Sequence, residues 1–306
     1  MVKISAVIPL FNEEKIIPLL LDRTAESLKK ITDDFEIICV DDGSSDSTLS
    51  ELLEYRKKEP RVKAIELSRN FGHQAAYTAG LEYSKSGFVV MMDGDLQDPP
   101  ELIPEMYRKL TEEDFDIIYG KRKTRKEKLP KRLSIRIFHK FFRHSTKLKA
   151  PENVGNFSIM NRKALDALLK LREKNRYLPG LRYYIGFNQG EVEYDRPDRE
   201  IGQAKMNVFK LTRLAFDAIF SFSKLPIKLS LVIGMIGIFI SLVGAGVVIY
   251  KKIIGDAVTG WTSTMLGMFF FGSVQLFFLG ILGEYIFRIF IETKDRPNYF
   301  IKDIYE

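Results

Sequence analysis

The chain of 306 residues suffices for one large or two ordinary domains, and its composition is globular apart from two apolar runs toward the C-terminus. A net charge of +7 suits nucleic acid, an anionic membrane surface or a phosphorylated substrate alike, so only its distribution can choose among them. The single cysteine, Cys39, excludes a disulfide framework and a cysteine zinc site, as expected of a soluble part in a reducing compartment, and residues 1–10 pass into a strand pattern with no signal peptide.

Residues 4–10 read as a first buried strand, followed by a loop at Phe11-Asn12-Glu13-Glu14 and an amphipathic helix to about residue 31. Residues 35–40 form a second strand. It ends in Asp41-Asp42-Gly43-Ser44-Ser45-Asp46, which offers acceptors, a glycine turn and a Ser/Asp cap for a helix over 48–57. A third strand, 62–67, leads into Ser68-Arg69-Asn70-Phe71-Gly72-His73 and a helix to residue 84. The fourth, 87–92, runs into Asp93-Gly94-Asp95-Leu96-Gln97-Asp98. Strands alternating with helices predict an α/β fold with a mostly parallel sheet, which binds ligands at the carboxyl ends of its strands. Polar clusters stand at successive strand ends here. Asp93 and Asp95, separated by a glycine, suit a hard divalent cation that completes its shell with water and substrate phosphate. An acidic turn before a helix starting at Pro99-Pro100 is the plainer use of the same residues. The dinucleotide fingerprint GxGxxG and the Walker phosphate loop are both absent, so a nicotinamide dehydrogenase or P-loop reading has no support.

Four of these segments carry a resemblance. Ile8-Pro9-Leu10-Phe11-Asn12-Glu13, Val40-Asp41-Asp42-Gly43-Ser44-Ser45-Asp46, Arg69-Asn70-Phe71-Gly72-His73 and Asp93-Gly94-Asp95-Leu96-Gln97-Asp98 resemble, in order and spacing, the family 2 glycosyltransferases of GT-A (Rossmann-like) fold. Within that family the chain is most similar to the branch that makes polyprenyl-phosphate sugars, which includes dolichol-phosphate mannose synthase and the bacterial undecaprenyl-phosphate glucosyltransferases. The resemblance implies that Asp42, with Asp41 beside it, contacts the base and ribose of a nucleotide-sugar, and that Pro9, Asn12, Glu13, Arg69 and Gly72 line the same pocket. It implies that Asp93, Asp95 and Gln97 hold Mg2+ or Mn2+ on the diphosphate. The chemistry agrees independently: a carboxylate accepts the imide N–H of uracil, and a divalent cation neutralises a leaving diphosphate.

Beyond the acidic loop the charge reverses. Between residues 121 and 149 stand thirteen Lys/Arg and one acid, Glu127, interleaved with Ile135, Ile137, Phe138, Phe141 and Phe142. That spacing fits a basic amphipathic element on an anionic membrane surface, near a phosphate-bearing substrate, while a solvated helix face has the same composition. No nucleic-acid recognition motif accompanies the charge. Arg122, at the start of this run, is a candidate for the diphosphate or acceptor phosphate. A turn and strand around Asn153-Val154-Gly155-Asn156-Phe157 follow, with a helix from Ala164. Many relatives carry a proposed aspartate base where this chain has Asn156. An amide takes no proton at neutral pH, so either the base lies elsewhere or none is needed, and Asn156 serves by positioning or as a turn cap. Arg199-Glu200-Ile201-Gly202-Gln203-Ala204-Lys205 resembles the family's Arg-x-x-Gly-x-Ser-Lys segment with Ala204 in place of serine. Arg199 and Lys205 there suit a diphosphate or the acceptor phosphate, or simply a surface loop.

Residues 206–228 alternate apolar and basic positions as a helix lying along a membrane does. Residues 229–250 and 257–283 contain no charge and exceed the roughly 20 residues that cross a bilayer. The expected organisation is a catalytic domain over 1–205, the juxtamembrane helix 206–228, a membrane hairpin over 229–288 with helices at 229–250 and 262–284, and a tail at 289–306. Basic residues crowd the segment before residue 229 and recur at Arg288, Lys294, Arg296 and Lys302, which predicts a cytoplasmic catalytic domain and tail, with Lys251 and Lys252 opposing this. Glycines at 234, 237, 244, 246, 267, 272 and 280 would let the helices pack closely, within the chain or between copies of a homo-oligomer. Glu284 and Arg288, one turn apart, should form an ion pair.

The expected activity is transfer of a hexose, from a UDP-sugar by preference, to undecaprenyl or dolichyl phosphate at the cytoplasmic face of the cell membrane, with inversion as the resemblance implies. A processive polysaccharide synthase is the alternative enzyme. Its Gln-x-x-Arg-Trp motif is missing, since the only tryptophan, Trp261, follows Val258-Thr259-Gly260. A catalytically silent nucleotide-sugar-binding scaffold is the alternative outside the enzymes, opposed by Asp42, Asp93, Asp95 and Gln97 and left open by Asn156.

Overall fold

A computed structural model describes residues 3–123, 154–174, 176–195, 225–254 and 260–306. Most of the basic run after residue 123, the loop bearing Arg199 and Lys205, and residues 206–224 of the expected juxtamembrane helix lie outside these residues.

The first half follows the alternation of the sequence. Strands β1 (Ile4–Leu10) and β2 (Phe35–Asp41) are buried at every position, which is why they read as mainly apolar runs, the buried Ser5 hydroxyl donating to the Glu36 carboxylate at 2.6 Å: both faces of a parallel sheet are covered by helices. Strands β3 (Val62–Leu67) and β4 (Phe88–Met91) complete this half. Helix α1 (Ile17–Lys29) turns Ile17, Leu20, Leu21, Ala25 and Leu28 inward at helical spacing, and α2 (Thr48–Lys58) and α3 (His73–Tyr83) follow the second and third strands. After a 3-10 turn at Pro100–Leu102, α4 (Ile103–Glu112) buries Ile103, Met106 and Leu110. Strand β5 (Ile117–Arg122), strand β6 (Val154–Asn161), helix α5 (Arg162–Leu169), helix α6 (Leu178–Tyr184) and strand β7 (Gln189–Tyr194) finish the α/β body. Asn161 caps α5, its side-chain oxygen accepting from the Ala164 amide at 2.9 Å.

The strands form one sheet in the order β7-β5-β6-β4-β1-β2-β3-β8, where β8 is Ile301–Tyr305. The β3-β2-β1-β4 core is parallel, as is β5 with β7. Strand β6 runs antiparallel to both β4 and β5, and β8 runs antiparallel to β3. This is a GT-A-like arrangement, and the reversed β6 is what brings a chain start, residues 154–156, to the carboxyl edge of the parallel core.

Helices α7 (Leu225–Ile253) and α8 (Trp261–Thr293) are long and apolar enough to cross a membrane. Both outrun the expected spans 229–250 and 262–284. The apolar window of the second lies at Phe270–Thr293, because one uninterrupted helix carries Glu284, Arg288 and Glu292 on its last turns. The Glu284–Arg288 pair forms as expected, at 2.8 Å. At each of the eight glycines of these two helices, the seven expected ones and Gly283, an added Cβ would meet no atom within 4 Å, so these positions make no close packing within the described residues. The chain divides into two compact units, one holding the sheet with its helices and the other holding α7 and α8. The expected tail 289–306 is not a tail: α8 takes its first residues, and Arg296–Glu306 belongs to the sheet unit.

Candidate active site

Strand direction gathers the expected residues. The carboxyl ends of β1, β2, β3, β4, β5 and β7 and the amino ends of β6 and β8 all lie along one edge of the sheet.

At that edge the first two loops are stapled together. Asn12, at φ 54°, donates its backbone N–H to Ser44 Oγ at 3.0 Å, and its side-chain oxygen accepts from the Ser45 amide at 2.8 Å. The Glu13 amide donates to Thr48 Oγ1 at 2.8 Å. Asp41 accepts from the Ser44 hydroxyl and amide. Asp42 reaches the third loop, its two carboxylate oxygens accepting from the amides of Phe71 at 2.7 Å and Gly72 at 3.0 Å. Burial pushes both carboxyls up, against the pull of these donors. Gly43, at φ 66°, admits no side chain, since a Cβ would stand 2.5 Å from the Arg69 carbonyl carbon and 2.6 Å from the Asn70 nitrogen. Arg69 lays its guanidinium over the Phe71 ring, 4.4 Å from the centroid. Pro9 is buried, and its carbonyl and the Leu10 side chain crowd Gly94 so closely that the acidic loop needs a glycine there.

The acidic loop is built around Asp93. Its Oδ1 receives the Tyr77 hydroxyl at 2.7 Å, His73 Nε2 at 3.2 Å and Asn156 Nδ2 at 3.3 Å. Burial alone would raise this carboxyl, but His73, Tyr77 and Asn156 together hold it well below the usual carboxylate range. Burial likewise opposes protonation of His73, and Asp93 first, then Asp95 and Asp42, pull its pKa up, so one imidazole feels all three acids. Asp95 is buried and accepts from the Gln97 amide at 3.2 Å.

Arg122, expected on a substrate phosphate, lies 3.5 Å from Asp98 and donates to the Tyr194 hydroxyl at 3.2 Å, while that hydroxyl donates to Asp98 at 2.5 Å. Arg122 therefore holds an anion of the protein itself. Four residues that complete this edge, His73, Tyr77, Arg182 and Tyr194, have no role in the sequence reading. Arg182 is buried, donates to the carbonyls of Gly155 at 3.1 Å and Asn156 at 3.2 Å, and lies over the Tyr119 ring. Burial pulls its pKa down to about 10. A buried arginine in Leu178-Pro179-Gly180-Leu181-Arg182 gives no sequence signal, whereas His73 and Tyr77 follow the Arg69–Gly72 segment one helical turn apart and are within reach of a helix-face argument.

The donor set fits a hard cation. Among the described residues no three of His, Cys, Asp and Glu gather to hold a metal by themselves. Asp93 and Asp95 supply two carboxylates, and the buried Asn156 Oδ1 has no hydrogen-bond partner among the described residues, as expected where a further ligand belongs.

Residues 5–169 match the family model "Glycosyl transferase family 2". The chain is 40% identical over 306 residues to "Uncharacterized glycosyltransferase sll0501" of Synechocystis sp., covering 99% of this chain and 96% of that one. The chain is a family 2 glycosyltransferase. It is 37% identical over 302 residues to the "Bactoprenol glucosyl transferase" of Shigella phage SfX, covering 98% of this chain and 99% of that protein. A solved structure titled "Crystal Structure of a Mycobacterial Protein" shares the fold at 18% identity and TM-score 0.50, over 71% of this chain and 72% of its own. In this glycosyltransferase the matched segment runs from β1 through α5, and the likeness to both relatives continues through α6, β7 and the two apolar helices. Arg199 and Lys205 lie outside the described residues.

Proposed function

We propose that this glycosyltransferase transfers glucose from a nucleotide-diphosphate sugar, UDP-glucose by preference, to a polyprenyl phosphate, with inversion at the anomeric carbon. The observation that carries the reading is the end-to-end likeness to the phage bactoprenol glucosyl transferase, which takes in the α/β body and both apolar helices. Asp41, Asp42, Pro9, Asn12, Glu13, Arg69 and Gly72 form the nucleotide pocket, and Asp93, Asp95 and Gln97 the diphosphate end. Arg199 and Lys205 bind the diphosphate or the acceptor phosphate, and Arg122 braces this end through Asp98.

An acceptor-phosphate oxygen attacks the anomeric carbon from the face opposite the diphosphate; the new C–O bond forms as the bond to the diphosphate oxygen breaks. A polyprenyl phosphate has a second pKa near 6 and is largely a dianion at neutral pH, so no side chain has to remove a proton. Asp93 is unsuited to that task in any case, being held ionised by His73, Tyr77 and Asn156. Asn156 is left to orient a sugar or phosphate oxygen with its side-chain carbonyl, which has no partner among the described residues. Bound Mg2+ or Mn2+ would neutralise charge developing on the leaving diphosphate. Helices α7 and α8 form a membrane hairpin with the catalytic unit and C-terminus on the cytoplasmic side, and their open glycines support association between copies.

Purified protein incubated with a panel of nucleotide-sugars, a polyprenyl phosphate and Mg2+ or Mn2+ should give a polyprenyl-phosphate hexose by mass spectrometry, with UDP-glucose the best donor. Transfer to a saccharide acceptor with none to polyprenyl phosphate would overturn the reading.

A further inference from the structure

The C-terminal eleven residues return to the sheet at the one loop that joins Asp42 to the third strand. Strand β8 pairs with β3 through Tyr305 opposite Ala64, Ile304 opposite Ile65 and Asp303 opposite Glu66, and the register slips between Glu66 and Leu67. The ladder continues past the strand, because the Ser68 amide donates to the Phe300 carbonyl at 2.9 Å. Phe300 then meets Phe71 ring to ring, centroids 6.1 Å apart at 50°. Phe71 is thus gripped three ways: Phe300 against its ring, Arg69 on its ring face, and Asp42 on its amide.

Little apolar burial holds this segment. Phe300 is 55% exposed, and the body of β8 is exposed too. Tyr305 packs against the core, and polar clamps hold the rest. Glu66 takes Lys302 at 2.7 Å and the Tyr305 hydroxyl at 3.2 Å, Tyr299 donates to Glu82, and Tyr83 donates to Glu306. An edge ladder and side-chain pairs of this kind, with only Glu66 buried among the paired side chains, open at lower free energy than a buried core. The covalent tether of the segment makes its docking intramolecular and raises its effective concentration.

We infer that the segment 300–305 is a positioning element for the nucleotide pocket, and that Phe300 sets the Arg69–Phe71–Gly72 loop on which donor affinity depends. The inference rests on the donor reading proposed above. The contacts of Phe300 and β8 fall on β3 and the loop after it rather than on the Asp93 cluster, so the effect falls on donor binding and spares the transfer step.

The test uses the full-length protein in lipid nanodiscs. Phe300→Ala should raise the Kd for UDP and the KM for UDP-glucose roughly two- to tenfold, the range an aromatic pair supports. The kcat at saturating donor and the KM for polyprenyl phosphate should stay within about twofold, and Phe300→Tyr should restore donor affinity. Lys302→Met, at an exposed position, should shift donor KM in the same direction. Hydrogen exchange without nucleotide should speed up at the Phe71 and Gly72 amides while those of Val89 and Val90 keep their protection, which also shows that the variant is folded. Unchanged exchange at Phe71 and Gly72, or faster exchange with unchanged donor KM, or a fall in kcat with KM intact, would overturn the positioning role and leave the donor reading standing. Wild-type protein that binds neither UDP nor GDP would overturn the donor reading itself, and this inference with it.

Discussion

Asp93 accepts three donors on a single oxygen, and Asp95, two residues on, is engaged by the Gln97 amide. Asp93 is fixed by these neighbours, and Asp95 places a second carboxylate, itself buried, beside it for a cation on the diphosphate. Asp95→Asn should abolish transfer, and excess EDTA should do the same to the wild type; full turnover in EDTA would remove the cation from the scheme. Asn156→Ala should cost less than about tenfold in kcat, well short of the roughly 10²–10⁴-fold typical of a lost general base. Activity should rise through about pH 6 as the acceptor gains its second charge, and an acceptor phosphonate of higher pKa should carry that rise upward. A rise that ignores the acceptor would point to a titrating side chain. Arg182→Met removes the guanidinium donor from the Gly155 carbonyl and one of two donors from the Asn156 carbonyl, which keeps the Ser158 hydroxyl, at about 1–3 kcal/mol in all, readable as a drop in the denaturation midpoint. The acids are legible in the sequence because carboxylates gathered at the end of a buried apolar strand lose hydration, a cost that a bound cation or a ring of donors must offset. Arg182 and Tyr194 are not, because their importance lies in which distant backbone or carboxylate they meet, and that is set by the placing of β5, β6 and β7 beside β4.

Among the elements, the glycine turns separate two causes of rigidity. Gly43 is both in the left-handed region and pressed against the Arg69–Asn70 backbone, so Gly43→Ala combines strain and overpacking, about 2–5 kcal/mol, and should also abolish UDP binding in a calorimetric titration. Gly72 has a conformation few side chains adopt, φ 98° with ψ 154°, but no atom stands in the way of a Cβ. Gly72→Ala should therefore cost about 1–3 kcal/mol and leave measurable affinity. Strands β1 to β4 are readable from sequence to within a residue or so, and their helices to within about two, since buried parallel strands are predominantly apolar. Strand β8 is not. An edge strand with one partner, reading Ile301-Lys302-Asp303-Ile304-Tyr305, keeps its polar side chains in water and has the composition of a tail.

For the molecule as a whole, the return of the C-terminus changes what a soluble fragment should contain. A chain ending at residue 205 loses β8, whereas one in which residues 208–295 are replaced by a Gly/Ser linker keeps it. The bridged form should bind UDP more tightly than the truncated form, and both should use a long-chain polyprenyl phosphate in vesicles poorly; equal UDP affinity would show that β8 contributes nothing. The exposed apolar side chains of α7 and α8, such as Phe239 and Leu276, should keep the intact chain in the membrane pellet until detergent is added.

The last strand of the sheet is also the last to be made. Ribosomes add roughly 5–20 residues per second, so the strands through β7 leave the tunnel several seconds before β8 is synthesised. Both apolar helices are translated in that interval. The outer edge of β3 consequently lacks its β8 partner, its amides and carbonyls open to any passing strand, until the residues beyond the apolar helices have been made. Completion of this sheet thus waits on the translation of both apolar helices, and a chain arrested before residue 301 has a β3 edge with no partner from β8.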